Sequence, residues 1–208
     1  MSRVFIISAP SGSGKTTLVD RLLEEDANVL FSVSYTTRAP REEGEAGREY
    51  VFVTRAEFEE RARRGDFIEH AEVHGNLYGT HRGVLEQAEV EGKDVVLDID
   101  VQGARQLRDI FPGAVSIFIL APSREELAKR LRARSQDTEE VIERRLANAA
   151  GEIRDFRLYD YIVINDDLER AYRRLRAIVE AERSSLNNTE VETRVEKILA
   201  TFSDEARR

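Results

Sequence analysis

Apolar residues recur along this chain in two rhythms. Short β-branched runs read as buried strands: residues 3–8, Val95 to Asp100, Val115 to Leu120 and Tyr161 to Asn165. Between them, apolar positions three or four apart predict helices. Leu18, Leu22 and Leu23 follow Lys15, Val84 to Val90 ends at Gly92, and Leu127 and Leu131 follow the capping box Ser123-Arg-Glu-Glu126. Asp137 is placed to cap a further helix through Val141, Ile142 and Leu146. Apolar strands alternating with helices imply an α/β fold, a parallel sheet covered by helices on both faces.

Residues 34–80 break this rhythm. Phe31 to Thr36, Tyr50 to Val53 and Phe67 to Val73 predict short strands, with one helix between them opened by the capping box Thr54-Arg-Ala-Glu57 and ending near Gly65. His74 to Thr80 reads as a small loop. The segment has the look of an insertion in a parallel core. The last forty residues predict two helices, the second, over about 188–202, mostly polar.

The chain has 208 residues, which suits one core with a small insertion. Cysteine is absent, which excludes disulfides, thiolate metal sites and cysteine nucleophiles. The apolar run at the start is too short for a signal peptide or membrane span, so no membrane partner and a cytoplasmic location are expected. A net charge of −8 argues against a broad nucleic-acid surface. Anionic substrates then require positive charge gathered locally.

One such place is Ala9-Pro10-Ser11-Gly12-Ser13-Gly14-Lys15-Thr16-Thr17. It fits the phosphate-binding spacing G-x-x-x-x-G-K-[ST], with Ala9 in the first Gly position. Gly12 and Gly14 let backbone N–H groups turn inward onto phosphates, and the helix that follows adds its positive end. Lys15 reaches the β- and γ-phosphates, and the Thr16 hydroxyl suits Mg²⁺. The context is right: strand, loop, helix, at the start of a βαβ pattern. Asp98, at the end of a second apolar strand, is the candidate acid for Mg²⁺, directly or through water. Asp100 stays ambiguous between this role and simple solvation.

Further blocks make the reading specific. Ser34-Tyr-Thr-Thr37-Arg38-Ala-Pro-Arg41, Gly47-Arg-Glu-Tyr50, Phe67-Ile-Glu69, Gly75-Asn-Leu-Tyr78-Gly-Thr80, Leu97-Asp-Ile-Asp-Val-Gln-Gly103, Arg134-Ser-Gln-Asp137 and Asn165-Asp-Asp167 follow in order. Together with the phosphate loop they resemble the guanylate kinases over residues 4 to about 180. The resemblance implies a P-loop core within residues 2–185, a GMP-binding insertion over about 34–89, a helical lid over about 124–148, and a separate C-terminal helix over 186–208. It implies ATP and GMP as substrates with Mg²⁺. ATP would be held by residues 9–17, Arg130 and Asn165. GMP would be held by Ser34, Arg38, Arg41, Tyr50, Glu69, Tyr78, Thr80 and Asp98. Lys15, Arg41, Arg134 and Arg145 would carry the catalytic charge. The family usually has Gly where this chain has Ser135.

The chemistry agrees with those assignments. The planar fork of arginine suits a 5′-phosphate, and tyrosine hydroxyls add donors. The carboxylate of Glu69 can accept both donors of guanine, N1–H and the 2-amino group, whereas adenine would turn a lone pair toward it. The phosphomonoester of GMP, with a second pKa near ~6, is mostly dianionic at neutral pH and needs no general base. His70, His74 and His81 are therefore expected to be structural or solvated. Two other readings stay open: a guanylate-kinase-like binding module without catalysis, and a P-loop kinase for AMP, dTMP or a sugar phosphate. A homo-oligomer also stays open.

Overall fold

The computed structural model describes residues 2–40, 50–73, 75–134, 138–185 and 189–205. In chain order the elements are β1 (Val4–Ser8), α1 (Lys15–Glu25), β2 (Val29–Phe31), β3 (Ser34–Thr36), β4 (Tyr50–Phe52), α2 (Arg55–Arg64), β5 (Phe67–Val73), β6 (Asn76–His81), α3 (Gly83–Glu91), β7 (Asp94–Asp98), α4 (Val101–Ile110), β8 (Val115–Leu120), α5 (Arg124–Arg134), α6 (Glu139–Ile153), β9 (Tyr161–Ile164), α7 (Leu168–Arg183) and α8 (Thr189–Glu205), with a 3-10 turn (Arg154–Leu158) before β9.

The core is a five-stranded sheet in the order β2-β7-β1-β8-β9, parallel throughout. Alternation along β1 divides it into two faces. Phe5 and Ile7 pack with Leu18, Val19 and Leu22 of α1 and with Ala171, Tyr172, Leu175 and Val179 of α7. Ile6 points the other way, among Ala88 of α3 and Ala104 and Leu107 of α4. Both faces are covered, as continuous apolar strands require. A third cluster, Leu127, Ala128, Leu131, Ile142, Leu146 and Ala149, joins α5 to α6.

The insertion is a sheet of its own, in the order β4-β3-β6-β5. Two expectations are corrected here. The run from Phe31 to Thr36 is not one strand. Phe31 ends β2 beside Val96 of the core, whereas Ser34 begins β3 beside Thr80 of the inserted sheet. Alternation reveals that a segment is extended but not which sheet it joins. Nor is His74 to Thr80 a loop: Asn76 onward forms β6, antiparallel to both β3 and β5. Gly79 lies within this strand. A Cβ there would lie 3.0 Å from Cζ of Phe58 and 3.1 Å from Cγ of Phe67, so the glycine admits two stacked rings against the strand.

The capping box of α2 forms in full, Thr54 and Glu57 each bonding the other's backbone. For α6 the capping side chain is Thr138, which accepts from the backbone of Val141. Asp137, expected there, lies outside the described residues.

Candidate active site

The phosphate loop is built as its glycines predict. Gly12 and Gly14 both have φ of 91°, and Gly14 is the left-handed residue from which α1 starts. No side chain caps α1, and its first turn carries no acid. Its first N–H groups and positive end are thus left for an anion. By contrast Thr54, Asp100, Thr138 and Asp167 cap α2, α4, α6 and α7. The hydroxyl of Ser13 is buried in the loop without a hydrogen-bond partner. Ala9, in the first glycine position, packs on the core and does not disturb the turn.

Lys15 extends across the end of the sheet to pair with the Asp98 carboxylate and to donate to the carbonyl of Ile99 at 3.2 Å. Asp98 is brought there by the pairing of β7 with β1, which sets it beside Ile7. Thr16 stands next on α1. A hydroxyl and a carboxylate are hard oxygen donors suited to Mg²⁺. Among the described residues no group of three or more His, Cys, Asp or Glu could hold a metal unaided. Such an ion fits only if phosphate oxygens and water complete its shell. Asp100 caps α4, its Oδ1 accepting from the Gly103 backbone at 2.8 Å.

Two arginines, from α5 and α6, reach the loop. Arg145 donates to the Ser11 hydroxyl. Arg130 donates to the carbonyls of Ser13 at 3.4 Å and Asn165 at 2.9 Å, with Glu126 steadying its Nε at 3.0 Å. Helix α5 packs close against the loop, since the place a Cβ would take on Gly12 lies 3.0 Å from Cδ2 of Leu131. Asn165 is buried behind the loop and donates to Ser13 O at 2.8 Å. The side chain of Arg134, and Arg41 altogether, lie outside the description. Pro10 is buried, and Thr17 is exposed on the first turn of α1.

The other predicted residues gather on the inserted sheet. Ser34, Thr80 and Glu69 lie in register across β3, β6 and β5, so their side chains share a face. All three are buried, and the Thr80 hydroxyl donates to Glu69 Oε1 at 2.6 Å. Burial pushes the Glu69 carboxyl up to about 7, Asp100 adding to the rise and Thr80 opposing it. Two residues back along β6, on the same face, is Tyr78. Its ring meets that of Tyr50 edge to face at 5.9 Å, and the Arg38 guanidinium lies 5.1 Å above Tyr50. A cation and two phenols thus adjoin a buried carboxylate and two hydroxyls. His70 and His81 contact the rings of Phe67 and, respectively, Phe58 and Tyr35, and His81 Nδ1 accepts from the backbone of Gly83. His81 is held within the fold and His70 is exposed, so neither faces the phosphate loop. His74 lies outside the described residues.

Sequence reasoning passed over Glu152, near the end of α6. It is half-buried within the fields of Asp100 and Lys15, and burial, with Asp100 adding, pushes its carboxyl up to about 7. Its 137-residue separation from Lys15 left no local pattern to find it by.

A parallel sheet with a glycine loop feeding an uncapped helix, and a lysine paired to an acid on the neighbouring strand, defines a P-loop phosphotransferase fold. The Guanylate kinase family model matches residues 1–182, and the chain belongs to that family. It is 49% identical to the guanylate kinase of Nitrosomonas europaea, over 98% of this chain and 100% of that one. It is 52% identical to the guanylate kinase of Koribacter versatilis, over 90% and 82% respectively. The crystal structure of guanylate kinase from Anaplasma phagocytophilum superposes with a TM-score of 0.74 at 38% identity, covering 89% of this chain and 88% of that one.

Proposed function

We infer that this chain transfers the γ-phosphoryl group of ATP to GMP, giving ADP and GDP. The observation that carries the choice of acceptor is the buried row Ser34–Thr80–Glu69. One carboxylate oxygen is already engaged by Thr80. Its remaining lone pairs suit two adjacent N–H donors, which guanine presents and adenine does not. A polar group left unpaired there costs about 1–3 kcal/mol. We assign the 5′-phosphate of GMP to Arg38, Arg41, Tyr50 and Tyr78, with Asp98 bordering the acceptor. The sugar 2′-hydroxyl is not needed by any of these contacts, so dGMP is a second acceptor.

The triphosphate of ATP lies in the loop of residues 9–17, with Arg130 and Asn165 framing its far side. Thr16 and, through water, Asp98 would hold the Mg²⁺ that comes with ATP, which would supply positive charge to the phosphate oxygens. A phosphate oxygen of GMP forms the new bond to the γ-phosphorus as the bond to the β,γ-bridging oxygen breaks. The electron pair leaves with ADP. Lys15, Arg41, Arg134 and Arg145 absorb charge spread over the transferring group, and the dianionic acceptor requires no base. Among the described residues no helix is long and apolar enough to cross a membrane. We place the enzyme in the cytoplasm, in purine nucleotide metabolism.

An ADP-release assay with Mg²⁺, ATP and a panel of nucleoside monophosphates tests this. GMP and dGMP should turn over and AMP should not. No release with any acceptor would indicate a binding module, and AMP as good as GMP would overturn the role of Glu69.

A further inference from the structure

Gly103 stands in the first turn of α4, where a glycine weakens a helix relative to alanine. Its φ is not in the left-handed region, so the backbone does not demand it. The reason lies across the gap to β5. A Cβ on Gly103 would lie 2.9 Å from Glu69 Oε2, 3.3 Å from its Cδ and 3.4 Å from Asp100 Oδ1. The first of these is closer than van der Waals contact permits. The atom in conflict is the end of a flexible side chain, so the chain would relieve the overlap by moving the carboxylate and leaving the helix in place. Glu69 has little room to go. It is buried, tied by Thr80 at 2.6 Å on one oxygen, and bounded on the other by this turn. The turn itself is held by Asp100, whose carboxylate accepts from the Gly103 N–H.

We propose that Gly103 is a positioning residue for base selection: the missing side chain lets α4 close on Glu69 and fixes its free oxygen in the direction that guanine requires. The inference rests on the reading of Glu69 as the guanine-binding group. Gly103 does not touch the base; it acts through Glu69. It has no part in holding ATP.

Gly103→Ala, Glu69→Ala and the double variant test the proposal, with kcat and KM measured for GMP and AMP, KM for ATP, and Tm. Gly103→Ala should cut the preference for GMP over AMP by ~tenfold or more, the effect of losing a buried hydrogen bond. The loss should fall on KM for GMP, with KM for ATP unchanged and Tm at the parent value or above, because alanine favours the helix. The double variant should be no worse than Glu69→Ala alone, the non-additivity expected of residues acting as one. Retained preference in Gly103→Ala, losses that multiply in the double variant, or a lowered Tm with ATP affinity lost in parallel would each overturn it. If Glu69→Ala itself keeps the preference, the base-selection reading has failed, and the role of Gly103 falls with it.

Discussion

At the scale of single residues one unusual group is Glu69, a carboxyl that burial raises to about 7 from an ordinary 4.5. The folded protein therefore holds this proton more tightly than the unfolded chain does. Its contribution to stability is fully present below pH ~4.5, declines as pH rises through about 7, and is flat beyond. Glu69→Gln should be neutral at low pH and should stabilise the ligand-free protein at pH 8 by up to ~3 kcal/mol. Thermal melts across pH 4.5–8 measure this, and a pH-independent difference would contradict the buried titration. A mutation that stabilises by removing a functional carboxylate is the expected signature of a site built at the expense of the resting state. If Glu69 binds guanine as proposed, GMP binding needs the ionised form, and affinity should fall by ~tenfold per pH unit well below 7. The phosphate of GMP titrates nearby, near ~6. Calorimetric titrations on the parent and on Glu69→Gln separate the two, since only the parent loses the Glu69 component.

At the scale of elements, the sequence showed what local patterns can show. Four of the five core strands, the phosphate loop, the capping box of α2 and the terminal helix over about 188–202 were legible because each announces itself in a short stretch of chain. What was not legible depends on distant partners. Whether Ser34 belongs with Phe31 is decided by Thr80 and Val96. Whether Gly79 breaks a strand is decided by two rings that pack over it. Glu152 feels the charge of the loop's lysine only because the fold brings the end of α6 near it. Most of the candidate site was named through blocks resembling a family, and the geometry then brought Ser34, Glu69 and Thr80 side by side. Glycine again separates the cases. In the phosphate loop, Gly14 has φ of 91° and a Cβ would lie 2.3 Å from Nδ2 of Asn165, which holds Ser13 O. Gly14→Ala should lower Tm, strain in the left-handed region alone costing ~1–2 kcal/mol. It should also weaken ATP binding while GMP binding persists. Fluorescent-nucleotide titration with each ligand checks this. Equal losses for both nucleotides would mean the loop is not specific to the donor.

At the scale of the whole molecule, the groups proposed for donor and for acceptor sit on different sheets. The loop after β1, Asp98 ending β7 and Asn165 after β9 all lie at the carboxyl edge of the parallel sheet, the usual place for ligands in such folds. Glu69, Ser34, Thr80, Tyr50 and Tyr78 lie on the inserted sheet. The chain leaves the core through Ser32 and Val33 and returns through α3, and β5 also meets α4 where Glu69 faces Gly103, so any closure of the second sheet would pivot about that contact. Without substrates Lys15 is bonded to Asp98 and Arg145 to Ser11, so these cations are engaged by the protein itself. Water would be the competing acceptor if they gathered on the γ-phosphate before GMP arrived. Assembly of the charges only on closure, with both nucleotides bound, avoids that waste. Small-angle scattering should therefore show a smaller radius of gyration with a bisubstrate analogue than with ATP or GMP alone, and ATP hydrolysis without GMP should be slow. Lys15→Ala should leave the compaction nearly intact and abolish turnover with every acceptor, because it removes charge from the donor and leaves the hinge untouched. An unchanged radius with the analogue, alongside normal turnover, would mean that the two bodies already stand at reacting distance and that water is excluded some other way.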